Sequence, residues 1–277
     1  MRTLGFILAS GAVCLLLAGS ALATPTGWIT MSFAGVSPGE GVSTTMGGTT
    51  AGVYNQRVYL DSTKWGDLLD GPDPDTIPDQ EASQLIGSLG SADGGTGTAR
   101  WAYASTFCAD FRQYASGSWL KYYIYEPEDA PIGGGNTPMG DAKAADLRRL
   151  FDNYSAYGLG TPYTYGGTTY VANQTSAAFQ ASVWEIIYGT KPYDVTADTF
   201  RVTSGNSWKV LSNYWLANLG TVDPCLGLRI LVRDDQQDFA IVVPGIGRDP
   251  IPEPVTMAGL MLGIGSIAGY VRRRRTA

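Results

Sequence analysis

Residues Arg100–Phe111 read RWAYASTFCADF, and Ser118–Glu126 read SWLKYYIYE. In the first stretch Trp101, Tyr103, Ser105 and Phe107 alternate with smaller neighbours, and the second keeps the same two-residue period, so two adjacent strands are expected. Working outward, Trp28–Phe33 and Val53–Leu60 also alternate and are separated by a Gly/Ser/Thr-rich stretch expected to be a loop. Near the end of the chain, LGLRILVRDDQQDFAIVVP predicts a hairpin that turns at Asp234–Gln237. Between these strands the period changes. Leu147, Leu150, Phe151 and Tyr154 recur at helical spacing, with Asp141 as the cap and Gly158 as the stop. A Gly/Tyr-rich loop then leads to a second helix, Ser176–Tyr188, capped by Thr175 and stopped by Gly189. A third is expected over Ser207–Leu219, burying Trp208, Leu211, Trp215 and Leu219. Strands first and last with about three inserted helices give an α+β fold, a β-rich sandwich or barrel-like domain.

Composition narrows the function. The chain has no histidine, which removes His-based triads and His-rich zinc sites. The 36 glycines and 16 tyrosines suit turns joining aromatic-faced strands, as in many extracellular β-rich proteins. The 19 basic residues include Arg2 and four terminal arginines; without them 14 face 25 acidic residues, a net charge near −11. Such a surface repels nucleic acid and anionic membranes. The stretch DLLDGPDPDTIPDQE (67–81) is acidic, but it lacks the EF-hand order of ligands and its three prolines suit an exposed connection. No metal or cofactor site is expected.

The chemistry concentrates on one helix face. In TSAAFQASVWEIIYG (175–189) the apolar stripe is Phe179, Val183, Trp184, Ile186 and Ile187, and Gln180 lies inside it, one turn from Trp184. A buried amide without a partner costs about 1 to 3 kcal/mol, so Gln180 needs one. Beyond Cys14, which sits in the N-terminal apolar run, the chain has Cys108 on the aromatic strand and Cys225 before the last hairpin. In an exported protein these two form a disulfide on the simplest reading, closing a long loop.

TFCADF around Cys108 with FQASVW around Gln180 resembles the Cys-Gln thioester domains of bacterial surface proteins, in which an aromatic-Cys strand motif precedes a Gln-x-Ala-Ile-Trp helix motif. Gln180 and Trp184 match in type and spacing; Phe179, Ser182 and Val183 depart from the common residues. The resemblance implies that the Cys108 sulfur attacks the Gln180 side-chain carbonyl, expels ammonia and leaves a thioester open to an amine or hydroxyl on a partner. The domain would then be an adhesin-like reagent that reacts once, with no turnover. Phe107, Phe179 and Trp184 would shield the bond, Tyr122, Tyr123 or Tyr165 would supply hydroxyl hydrogen bonds, and Asp110 or Glu185 would accept a proton.

Both ends carry addresses. Arg2 precedes an apolar run (4–17) and the small-x-small site Ala21-Leu22-Ala23, which predicts a secretory signal over 1–23 with Thr24 as the first mature residue. Cys14 lies inside that run behind Val13, which argues against lipidation. At the other end, IPEPVTMAGLMLGIGSIAGYVRRRRTA (251–277) has no charge from Val255 to Val271, enough helix to span a bilayer once, followed by a cationic stop. Pro252-Glu253-Pro254, that helix and Arg272, Arg273, Arg274 and Arg275 resemble the PEP-CTERM sorting tag of exported proteins in Gram-negative bacteria that make exopolysaccharide. The resemblance implies recognition by the membrane enzyme exosortase, cleavage near Pro252–Pro254, and release from a transient inner-membrane anchor to the cell surface or medium. Residues 24–250 would be a single extracellular domain. The alternative function for that domain is a disulfide-stapled, non-covalent matrix or glycan-binding protein of a biofilm or exopolysaccharide, with exposed Tyr and Trp rings stacking on sugars. A hydrolase would need paired carboxylates, and no Asp or Glu pair stands out.

Overall fold

A computed structural model describes residues 25–60, 80–89, 94, 100–132, 137–221 and 227–243. The signal segment, the sorting tag with its helix, most of the acidic stretch and Cys225 lie outside the described residues. Six strands close an antiparallel barrel: β1 (Gly27–Thr44), β2 (Gly47–Tyr59), β3 (Trp101–Cys108), β4 (Leu120–Tyr125), β7 (Leu228–Val232) and β8 (Phe239–Val242), in the order β1-β2-β3-β8-β7-β4. Among the described residues four helices accompany it, α1 (Gln80–Ser88), α2 (Asp141–Gly158), α3 (Ala172–Tyr188) and α4 (Lys209–Ala217), with a small two-stranded sheet of β5 (Tyr163–Tyr165) and β6 (Thr168–Tyr170). The fold is a β-rich α+β domain. Among the described residues no helix is long and apolar enough to cross a membrane.

The differences from expectation have physical causes. The stretch between the first two predicted strands is itself strand: β1 and β2 pair as far as Thr44 and Gly47. Its glycines and Pro38 hide the two-residue period, and register shifts between Phe33 and Gly35 and between Val36 and Gly39 bend the ribbon without ending it. At Gly52 a side chain would meet the backbone of Pro38 and Gly39 at 2.3 and 2.5 Å, so the close approach of the two strands requires glycine there. Strands β3 and β4 are not adjacent. β3 lies between β2 and β8, and β4 between β1 and β7. Their similar pattern reports two half-buried strands of one barrel and carries no information about which edges meet.

Helix caps also moved. Gly140, at φ 81°, precedes α2, and Asp141 is its first residue, where a carboxylate faces the positive helix end. α3 starts at Ala172, ahead of the expected position: the Gln174 side chain accepts from the Val171 N–H, and Thr175 sits within the first turn, its hydroxyl donating to Ala172 O at 3.0 Å. The third helix is shorter than expected, and Leu219 lies beyond it, half-buried. α1 was not expected at all.

α3 is the centre of the molecule. It packs on β1, β2 and β3 on one side and on α2 and α4 on the other, and every residue from Thr175 to Ile187 is buried. A helix covered all round needs small residues where neighbours come close, which Ala177, Ala178 and Ala181 supply. Two serines are satisfied within this packing: Ser182 and Ser212 hydroxyls both donate to Ala178 O at 2.9 Å. Polar links fasten the helical layer to the barrel. Arg148 of α2 donates to Glu126 and Glu128 at 2.8 and 2.6 Å, Arg229 of β7 lies 2.9 Å from Glu126, and the Trp208 indole donates to Glu40 of β1 at 2.8 Å.

Candidate functional site

Cys108 ends β3, and Gln180 lies mid-way along α3; both are fully buried. The last β2–β3 pair is Tyr54 with Thr106. Two residues further on, where β2 no longer lines this edge, the Gln180 carboxamide takes the place of a strand. Cys108 N–H donates to Gln180 Oε1 at 2.8 Å, and Gln180 Nε2 donates to Cys108 O at 2.8 Å. The amide expected to need a buried partner finds one in the backbone of the cysteine. These two bonds fix the carboxamide carbon beside the residue that carries the sulfur, 72 positions away in sequence.

The thiol has its own contacts. Cys108 Sγ accepts from Gln237 Nε2 at 2.7 Å and donates to Asp110 O at 3.0 Å, while Gln237 Nε2 also reaches Asp110 O at 3.1 Å. The Trp184 indole N–H makes no hydrogen bond that meets ordinary geometry, yet lies near enough to the sulfur to favour its thiolate. Burial dominates: it pushes the Cys108 thiol well above the usual thiol range, the Asp110 and Asp238 carboxylates push the same way, and the Trp184 and Gln237 donors only partly oppose them. The resting sulfur is a neutral thiol.

Acidic and phenolic groups surround it. Asp110 Oδ1 accepts from Arg112 N–H at 2.8 Å and from the Tyr188 hydroxyl at 2.9 Å, whereas its Oδ2 is buried without a partner. Tyr188 Oη also accepts from Phe111 N–H at 3.0 Å. Asp238 accepts from Arg233 N–H at 3.0 Å; burial pushes its carboxyl up to about 8 against that bond, with Asp110 and Asp234 adding to the rise. The apolar wall is continuous. Phe107 lies tilted 4.6 Å from Phe179 and edge-on 5.6 Å from Phe151, and Phe111 meets Trp184 edge-on at 4.7 Å. Gly158 ends α2 against that wall, where a side chain would come within 2.6 Å of the Phe179 ring and 3.0 Å of Phe107.

The structure therefore brings together Cys108, Gln180, Phe107, Phe179, Trp184 and Asp110. Glu185 is elsewhere: its Oε1 accepts from Asp194 N–H at 3.0 Å past the C-terminal end of α3, and burial raises its carboxyl to about 7. Of the tyrosines, Tyr122 is buried against Phe239, the register partner of Cys108; Tyr123 is 40% exposed, and Tyr165 stacks on Tyr214 at 4.1 Å. The phenols close enough for an ionised Cys108 to raise them further, beyond what burial does, are Tyr188 and Tyr54. Tyr188 is not among the expected tyrosines, although its place two turns after Gln180 and one after Trp184 on the same helix is the signal that points to it. Gln237 and Asp238 carry no such signal: the first falls in the expected turn Asp234–Gln237 and the second directly after it, and only the closure of β8 against β3 draws them in. Gln237 also lines a groove of about 350 Å3 that opens to the surface between the β1–β2 hairpin and residues 111–115.

Among the described residues no group of three His, Cys, Asp or Glu side chains could hold a metal ion. Cys108 is a free thiol, and its expected disulfide partner, Cys225, is outside the described residues. No protein-family model, curated protein or solved structure matches this chain.

Proposed function

We propose that this chain is an exported, exosortase-processed surface or matrix protein whose domain forms an internal thioester between Cys108 and Gln180 for covalent attachment to a partner. The observation that carries the reading is the pairing of the Gln180 carboxamide with the backbone of Cys108 in a fully buried, aromatic-walled position. An amide used only to satisfy a core could pair with any free backbone edge; this one is held on the residue bearing the nucleophile.

The chemistry balances within the site. Cys108 sulfur attacks Gln180 Cδ; the S–C bond forms, the C–N bond breaks, and the thiol proton leaves with the nitrogen as ammonia. In this reading Asp110, whose charge reaches the sulfur and whose Oδ2 has no partner, takes the thiol proton, and Asp238, its carboxyl raised to about 8, is an acid in reserve for the departing nitrogen. Phe107, Phe179 and Trp184 keep water from the product. When a partner amine or hydroxyl attacks Cδ, the new C–N or C–O bond replaces C–S and the nucleophile's proton ends on sulfur. One molecule forms one tether.

Export and sorting rest on the sequence: the signal at 1–23 directs secretion, and Pro252-Glu253-Pro254, the following helix and Arg272–Arg275 direct the chain through the inner membrane to exosortase. The decisive test is the intact mass of protein prepared without reductant, then peptide mapping after methylamine. Loss of one ammonia, with methylamine captured on Gln180 and a new thiol at Cys108, is the expected result. Loss of two hydrogens with Cys108 joined to Cys225 would refute it and leave a stapled, non-covalent matrix domain.

A further inference from the structure

The groove over Gln237 points to the class of partner. Gln237 is one of its lining residues and donates to the Cys108 sulfur with its amide nitrogen, so the groove ends one residue from the site. At about 350 Å3 it falls at the small end of the range for small-molecule sites. Tyr114 lines it while 89% exposed, a flat ring available to a ligand. Gln113 Oε1 is buried without a hydrogen-bond partner, although its Nε2 donates to Asp234 O at 2.8 Å. Thr49 and Tyr54 add hydroxyls, and among the described lining residues Arg112 carries the only formal charge.

A lysine side chain would arrive as a cation, its pKa near 10.4, and would find no lining carboxylate to hold the ammonium or take its proton. A sugar is neutral, lays the apolar face of its ring on an aromatic, and pairs its hydroxyls with lining hydroxyls such as that of half-buried Thr49. We infer that the groove receives a neutral carbohydrate and that the nucleophile presented to the site is a sugar hydroxyl, giving an ester on Gln180. The covalent half rests on the thioester reading; the binding half does not. In that step the sugar oxygen bonds to Gln180 Cδ, the C–S bond breaks, and the hydroxyl proton passes to Cys108 sulfur, whose departure the Gln237 amide eases.

The test runs two arms with methyl α-glucoside and N-acetylglucosamine as probes. In the first, the purified protein is exposed at pH 7 to each sugar or to Nα-acetyl-lysine at equal concentration, and adducts on Gln180 are quantified by mass. More sugar ester than lysine amide is expected, and Tyr114→Ala should cut ester formation roughly tenfold while methylamine capture, which needs no ring, stays within about twofold. A larger lysine yield, or an ester yield indifferent to Tyr114→Ala, overturns the inference. In the second arm Cys108→Ala, which cannot form the bond, is titrated with the same sugars by calorimetry and NMR. Binding that disappears in Cys108→Ala/Tyr114→Ala upholds the groove even if the first arm shows no ammonia loss and the thioester falls. No binding of either sugar to Cys108→Ala overturns the groove whatever the fate of the thioester.

Discussion

Opening the proposed bond without changing the sequence should cost the domain a defined amount of stability. Cys108 and Gln180 are 72 residues apart, and a cross-link over that separation removes about 15 cal/mol/K of entropy from the unfolded chain, or about 4 kcal/mol at 25 °C. Methylamine converts Gln180 to an N-methyl amide whose carbonyl still accepts from Cys108 N–H, whereas its favoured trans form puts the methyl group where the second N–H stood, so one of the two bonds to the Cys108 backbone re-forms. That restores about 1 kcal/mol and leaves a net loss of about 3 kcal/mol. For a domain of this size the melting temperature should fall by roughly 6 to 12 °C. With an m-value of about 2 kcal/mol/M, the urea midpoint should fall by about 1.5 M. The seven tryptophans provide the fluorescence signal, with Cys108→Ala as the control that methylamine should leave unchanged. If mass spectrometry shows complete capture on Gln180 and the midpoint moves by less than about 0.5 M, the loop-closure argument is wrong.

Four further outcomes follow from the geometry. In a Cys108→Ala background, Gln180→Met strands the N–H and C=O of position 108 in the core and should cost about 2 to 6 kcal/mol by urea denaturation; a cost under 1 kcal/mol would mean the pairing is dispensable. Gly158→Ala drives a methyl group into the Phe179 ring and should destabilise by about 1 to 3 kcal/mol, read from the melting temperature. Gln237→Leu removes the donor on the departing sulfur and should slow methylamine capture roughly tenfold, an effect absent if the donor only packs. Burial holds the Glu185 and Asp238 carboxyls at about 7 and about 8, above their unfolded values, so the folded protein binds protons that the open chain has already lost. Their contribution is full below about pH 4 and disappears as pH rises through 7 and 8. Glu185→Gln keeps an acceptor for Asp194 N–H, so it should gain stability over the parent at pH 8 more than at pH 5; equal effects at both would contradict the assignment.

The legible parts of the molecule are those decided locally. Trp101, Tyr103 and Phe107 alternate because β3 has two unlike faces, and Leu147, Leu150 and Phe151 recur because α2 buries one stripe. Gln180 stood out for the same reason, as a polar residue in an apolar stripe. What the sequence concealed depends on partners far along the chain. The glycine-rich stretch at 34–44 has weak strand propensity and becomes strand because β2 supplies its hydrogen bonds. The separation of β3 from β4 is a property of barrel closure. Gln237 is polar and sits in the run Asp234-Asp235-Gln236-Gln237-Asp238, which is how a solvated turn looks; its approach to Cys108 depends on β8 joining β3, over 129 residues.

That junction has a kinetic meaning. The barrel is closed between β3 and β8 by two residue pairs, Phe107 with Ala240 and Cys108 with Phe239, whereas β1 and β2 share eleven. The shortest seam of the barrel therefore runs through the cysteine itself. Fluctuations that part this seam cost less than global unfolding, and each one uncovers the sulfur and removes the turn that carries Gln237. Amide hydrogens of residues 239 and 240 should then exchange with solvent at the rate at which buried Cys108 becomes accessible, making the breathing of one short seam the clock of the site.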